Sequence, residues 1–322
     1  MEQLSVLCIG IACVDTIIKG FDFEKFANSE ETYRVEKIEK SIGGDAANQA
    51  INLKKLSNNV RLVCGVGNDY NGNYVKSVLK DQDISLESIL TFDCQTSQAI
   101  VLVDNNGQRR FISPKSNQNI PYNINNEMIP SAKIISLASI GSLPFRNLDN
   151  IQKVVETANK DNATICADVI CSGWLKELQQ IESVLKKIDY IFPNREEAYK
   201  LTKKNNIVDM AEKFLDSGVN NVIIKLGEKG CFFKNEKEEF IIPGVKNVRV
   251  VDTTGAGDSF AAGFITALIK QKSNKECCRY ANAIAAINVQ YTGTTSVSYN
   301  KEKINEYINY IRNEEKNEKS KC

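Results

Sequence analysis

The 322-residue chain contains no histidine, and that absence removes a large part of enzyme chemistry. A Ser-His-Asp or Cys-His nucleophile, a histidine general base and a histidine-ligated zinc are all excluded. Any proton must be moved by Asp, Glu, Lys, Tyr or Cys. Net charge is nearly absent too. The 41 basic and 40 acidic residues leave +1, so no broad field recommends a nucleic acid or a membrane surface as partner. A small molecule is the expected ligand. No uninterrupted apolar run approaches the ~18 residues of a membrane span. The opening stretch LSVLCIGIACVDTIIKG lacks a basic flank and carries Asp15 inside its apolar run. It reads as a buried strand rather than a leader. The ten cysteines are scattered without a C-x-x-C pair, so reduced thiols and a cytoplasmic location are expected. Neither G-x-G-x-x-G after the first strand nor a Walker A sequence is present, which argues against a dinucleotide-dependent dehydrogenase and a P-loop enzyme.

What is present is a rhythm. Short apolar runs at 5–11, 60–66, 132–140, 163–169, 188–192 and 221–227 read as strands, with helical stretches between most of them. Residues 45–57 place Ala46, Ala50, Leu53 and Leu56 on one helix face, and AEKFLDSG ends at Gly218 as a helix should. Alternating helices and continuously apolar strands predict the α/β class, with a parallel sheet covered on both faces. Segments 16–42 and 96–113 break the rhythm with polar alternation, the second as a hairpin around Asn105, Asn106 and Gly107. They suggest a small accessory sheet within a single 1–322 domain. The tail RNEEKNEKSKC reads as a solvated, fraying helix end.

One stretch carries chemistry. VDTTGAGDSF (251–260) lies between the strand-like VRVVD and the helical SFAAGFITALI, in which Phe260, Phe264 and Leu268 recur on one face. Each glycine inside a helix costs ~1 kcal/mol relative to alanine, so Gly255 and Gly257 together ask for a reason. Unpaired amides and the positive dipole end make a helix N-terminus an anion site, and glycines let a phosphate reach the backbone. Asp258 beside that anion would accept a proton from a hydroxyl attacking the phosphate. The same residues also fit a helix capped by Thr253 or Thr254, with Asp258 merely complementing the dipole.

Further stretches bear on that choice. DTTGAGDSFAAGF resembles the C-terminal signature of the ribokinase-like (PfkB) carbohydrate kinases. GGDAANQA (43–50) is similar to that family's sugar-binding turn, GVGNDYNG (65–72) to its second glycine-rich stretch, and PNREEA (193–198) to its N-x-x-E motif. KLGEKG (225–230) and ANAIAAINVQYTG (281–293) resemble the nucleotide-side turn and the closing helix. The resemblance implies a three-layer α/β/α sandwich with a mostly parallel central sheet and a small β-sheet lid. It implies an ATP-dependent kinase acting on a hydroxyl of a sugar or sugar-like molecule, with Asp258 as base and Gly255, Ala256 and Gly257 as the anion hole. Asn194 and Glu197 would act through water on Mg2+ and the phosphates. Lys225, Gly227 and Asn282 would line the nucleotide, and Asp15, Gly43, Gly44 and Asn48 would hold the acceptor. Similarity of Asp252, Thr254 and the 291–296 turn to the ribokinase potassium loop implies a K+ effect. A homodimer through the lid is a further implication, since exposed sheet edges seek pairing.

Bland alternatives stand beside several of these residues. Gly43 and Gly44 also fit a turn before a helix capped by Asp45, and Asn194 with Glu197 also fits a capping box. Asp15, an acid in an apolar run, needs polar partners if buried. The acceptor side departs from the pattern. Ser139 and Gly141 stand where ribokinases carry an acid, DVICSG (168–173) lacks the Asp-x-Asn-x-Arg of fructokinase-like members, and no Gly-Ala-Asn turn occurs near 113–119. A nucleoside kinase is the nearest alternative, with Phe21, Phe23, Phe26, Tyr33 and Phe111 either stacking on a base or forming lid core. A noncatalytic sugar-responsive binding protein is a third reading, opposed by the intact Asp258 and glycine turn.

Overall fold

The computed structural model describes residues 4–28, 31–104, 108–114, 122–171, 174–293 and 295–319. The first half of the chain contains β1 (Val6–Ile9), β2 (Cys13–Lys19), α1 (Phe23–Ala27), β3 (Lys37–Gly43), α2 (Asp45–Lys55), β4 (Val60–Gly67), α3 (Tyr70–Asp81), β5 (Ile89–Phe92), β6 (Gln98–Val103), β7 (Arg109–Ile112), β8 (Ile134–Ile140) and α4 (Leu148–Lys160). The second half contains β9 (Thr164–Val169), α5 (Glu182–Leu185), β10 (Tyr190–Ile191), α6 (Arg195–Thr202), α7 (Ile207–Asp216), β11 (Asn221–Lys225), β12 (Cys231–Lys234), β13 (Glu239–Ile242), α8 (Ala256–Ile269), α9 (Asn274–Asn288) and α10 (Lys301–Lys319).

The six apolar runs all become strands of one nine-stranded sheet, ordered β13-β12-β11-β10-β9-β8-β1-β4-β5. Pairing is parallel from β5 to β11, and an antiparallel hairpin of β12 and β13 closes one edge. Both faces are covered, which is why the runs show no polar alternation. In β1, Val6 and Cys8 pack into one half of the core while Leu7 and Ile9 pack into the other. This is the α/β/α sandwich the resemblance implied.

Helix α8, whose Phe260, Phe264 and Leu268 recur on one face, is in fact covered on all sides: every residue from Asp258 to Ala267 is buried, because α8 lies between α2 and α9. At Gly263 a Cβ would stand 3.0 Å from the Cα of Ala281 and 3.0 Å from the side chain of Ile284. Segment VRVVD is not a strand. The N–H groups of Val251 and Asp252 donate to Val289 O at the end of α9, 2.7 and 3.1 Å away. Its β propensity finds no sheet neighbour, and Val250 and Val251 remain exposed.

The accessory sheet is separate, with order β3-β2-β6-β7. Strand β2 begins at Cys13, a little before the expected segment. Register puts Asp15, Lys19, Val101 and Arg109 on the inner face, and Ile18, Ile38, Ile100, Leu102 and Ile112 on the outer one. The expected hairpin turn at 105–107 lies outside the described residues, as do 115–121 and 172–173 of the stretches where the chain departs from its relatives' motifs. Strands β6 and β7 pair antiparallel, as that hairpin requires. All nine described cysteines are free thiols, and no described helix is long and apolar enough to cross a membrane.

Close packing at Gly263 holds α8 in place. Gly263→Val should lower stability by ~1–3 kcal/mol through overpacking against the α9 backbone, read as a reduced urea midpoint at unchanged m-value. An unaltered midpoint would show that α8 and α9 separate freely.

Candidate active site

Two helix N-termini meet at the centre of the molecule. Helix α2 starts after Gly44 (φ 92°), and α8 starts after Gly255, which is left-handed (φ 70°). Neither start is capped by a side chain, so the threonine-cap reading of TTGAGD does not apply. The Ala256 N–H donates to Thr253 O at 3.2 Å. Among the described residues no acceptor meets the N–H of Gly257 or Asp258, and these two amides lie at the positive end of the helix dipole, the chemistry of an anion site.

Asp258 is buried in the first turn of α8, and its carboxylate accepts from Asn48 Nδ2 of α2 at 2.8 Å. Burial pushes its carboxyl well above the usual range, and the charge of Asp45 adds to this, against the Asn48 hydrogen bond and Lys225. Asp45 itself is pushed up to about 6, by burial and then by Asp168. Lys225, at the end of β11, pairs with Asp168 at the end of β9, its Nζ lying 2.8 and 3.0 Å from the two carboxylate oxygens. A Cβ at Gly257 would stand 3.2 Å from that ammonium, so only glycine leaves Lys225 open to the amide turn. Burial disfavours the Lys225 charge, but Asp168 and Glu197 outweigh it and raise the group above its ordinary value.

Of the residues expected to line the nucleotide, the structure brings together Asn194, Lys225 and Gly227. They line a groove of ≈ 800 Å³ with Arg195, Ile207 and Lys229. The capping box expected as the bland reading is present: Asn194 Oδ1 accepts from Glu197 N at 2.9 Å, and Glu197 Oε2 accepts from Asn194 N at 2.7 Å. The box fixes the Glu197 carboxylate near Lys225, and burial pushes it up to about 7. Asn282 lies apart from the groove lining; its Nδ2 donates to Ile242 O and Pro243 O at 3.1 Å each, pinning the exit from β13.

On the acceptor side Asp15 lies under Gly43, where a Cβ would overlap its carboxylate at 2.2 Å. Among the described residues its hydrogen-bond donor is the Cys13 thiol at 3.5 Å. Burial pushes Asp15 up to about 6, opposed by Cys13 and Arg109. Asp252 and Thr254 lie below the glycine turn. There the Asp252 carboxylate accepts from Thr254 N, Thr254 Oγ1 and Gly293 N at 2.8, 2.7 and 2.9 Å, and is ion-paired with Arg109 of the lid.

Three residues of this constellation were not selected from the sequence as site residues. Asp168 carries the same signal as Asp15, an acid closing an apolar strand run. Asp45 has only the look of a helix-start acid. Arg109 has no local signal, because its partner is 143 positions away.

The sequence matches the pfkB family carbohydrate kinase group over residues 3–301. The ATP-dependent 6-phosphofructokinase of Thermoanaerobacterium thermosaccharolyticum is 29% identical over 302 residues, 91% of this chain and 90% of that protein. The nucleoside kinase of Methanocaldococcus jannaschii is 26% identical over 299 residues, 91% of this chain and 92% of that one. The crystal structure of ribokinase from Thermotoga maritima superposes with a TM-score of 0.76 at 27% identity, covering 95% of this chain and 99% of that one. The chain belongs to the pfkB family of carbohydrate kinases, ATP-dependent phosphotransferases that act on small molecules.

Proposed function

We propose that this chain transfers the γ-phosphoryl group of MgATP to a hydroxyl of a sugar or sugar-like molecule, with Asp258 as the general base. The observation that carries this reading is a buried carboxylate with a raised pKa, set at the meeting of two helix N-termini and faced by one ammonium group. In the folded protein Asp258 sits close to the amides of its own turn, so a hydroxyl between them is near both its base and the phosphate it attacks. Gly257 N–H, Asp258 N–H and Lys225 would meet the charge on the transferring oxygens. Magnesium enters with ATP as part of the substrate. Among the described residues no three acidic side chains converge tightly enough to hold an ion by themselves. Asn194 and Glu197 would act on it through water, while Gly227 and the groove around it would take the nucleotide.

Asp15 supports an acceptor rich in hydroxyls. A buried carboxylate with a thiol as its described donor has oxygen lone pairs to offer, and sugar hydroxyls satisfy them. Gly43 and Gly44 shape that end, and Asn48 bridges it to Asp258. Phe21 packs on Phe23, Phe26 and Tyr33 with ring centres 5.0–5.4 Å apart, while Phe26 and Phe111 are largely exposed, so these rings are compatible with either a sugar or a nucleoside. A panel of sugars and nucleosides in an ATP-coupled assay decides between them. Turnover of nucleosides alone would replace the sugar reading.

Asp258→Asn should retain MgATP binding by calorimetry while kcat falls about 10²–10⁴-fold, the usual contribution of a general base. Near-normal turnover in the folded variant would remove Asp258 from the chemistry. The pH profile offers a second check. A raised base is ionised only above its folded pKa, so kcat/KM should rise with pH above the ordinary carboxylate range. Removing the like charge of Asp45 lowers the Asp258 pKa, so Asp45→Asn should move this limb to lower pH. An unmoved limb would detach Asp45 from the base.

The outer lid face supports a homodimer. Ile38, Ile100 and Ile112 are 64%, 38% and 53% exposed on one side of the sheet, and contiguous apolar surface of this kind marks an interaction site. The occupant we assign is a second copy of the same face. Sedimentation should show a dimer for the native chain and a monomer for Ile100→Glu; a native monomer at micromolar concentration would discard the interface.

A further inference from the structure

The loop residues that resemble a monovalent-cation site do not present one here. Asp252 Oδ1 accepts from Thr254 N and Thr254 Oγ1 and is paired with Arg109, and Asp252 Oδ2 accepts from Gly293 N. The Thr254 hydroxyl hydrogen is spent on Asp252, and the Asp252 charge is balanced by a guanidinium. Both side chains are well covered, Asp252 at 6% exposure and Arg109 at 14%. The carboxylate charge that would hold a bare cation is therefore already paired, and a second positive charge would have to displace the first.

Arg109 comes from the lid, on the inner face of β7. A second lid cation supports the same region: Lys19 of β2 donates to Thr292 Oγ1 at 3.0 Å and pairs with Glu39 at 3.0 Å. The two loops that flank the glycine turn, 252–254 and 291–293, are thus each tied to a basic side chain of the accessory sheet. Arg109 also faces Asp15, the acceptor-side carboxylate, which its charge stabilises.

We propose that the Arg109 guanidinium takes the place of a monovalent cation in this chain, holding Asp252 and the glycine turn in position with a charge supplied by the lid. Arg109 is a positioning residue, acting through Asp252 on the amides of Gly257 and Asp258. The loop is then independent of K+, and its order is linked to the placement of the lid over the acceptor.

The decisive measurement is thermal stability of the full chain in potassium chloride and in tetramethylammonium chloride at equal ionic strength. It needs neither acceptor nor turnover, so its failure is separate from failure of the kinase reading. The native chain should melt at the same temperature in both salts. Arg109→Gln should melt lower in tetramethylammonium, and potassium should raise its Tm by roughly 2 °C or more as the ion binds the vacated carboxylate. Arg109→Lys, which keeps the charge, should stay indifferent to the salt. A native chain stabilised by potassium would overturn the proposal without any variant. So would an Arg109→Gln protein that folds and shows no potassium response, since Arg109 would then be an ordinary ion pair.

Discussion

The site rests on one buried ammonium. Lys225 is surrounded by the carboxylates of Asp168, Glu197 and Asp258, and Asp45 adds its charge to the same cluster. Without it these acids would repel one another in a medium that screens poorly, and several would be forced to take up protons. With it, the cluster holds the Lys225–Asp168 ion pair at the ends of β9 and β11, beside the raised carboxyl of Asp258. Breaking such a buried pair by removing one partner costs ~3–5 kcal/mol. The same ammonium stands in front of the glycine turn, where an incoming phosphate would meet it.

The fold supplies the geometry. In a parallel sheet the strands end on one edge, and the helices that follow begin there. Asp168 and Lys225 lie at the ends of β9 and β11, which flank β10 in the sheet, while α2 and α8 bring two positive dipole ends to the same region. Amides and dipoles thus converge on one point with no dedicated loop, and the absence of histidine is no handicap. The accessory sheet adds what the main sheet lacks. It sets Asp15 opposite the glycine turn and delivers Arg109 and Lys19 to the two loops beneath it. Asp15 is thereby held by the accessory sheet, and Asp258 together with its glycine turn by α8, so the packing of the two layers decides their separation.

Legibility in the sequence followed the range of the interaction. All six apolar runs became strands, because a strand buried on both faces must be apolar at every position, whatever its neighbours. The glycine turn was readable because backbone conformation is a local property, and Gly255 takes the left-handed form that favours glycine. VRVVD misled for the complementary reason. Its composition favours a strand, yet a strand needs a neighbour, and Val251 and Asp252 find the end of α9 instead. Helix α8 was readable as a helix from Phe260, Phe264 and Leu268, but its burial on all sides follows from packing between α2 and α9, which the sequence does not report.

What the chain order alone determined is the α/β rhythm, the accessory sheet, the glycine turn and the acids placed within apolar strands. These follow from periodicity and from the cost of burying a polar group, which act over a few residues. Tertiary structure decided which charges meet. Lys225 reaches Asp168 across 57 positions, Asn48 reaches Asp258 across 210, and Arg109 reaches Asp252 across 143. No local signal reports such pairs, because their energy arises only once sheet and lid have removed water from between the charges.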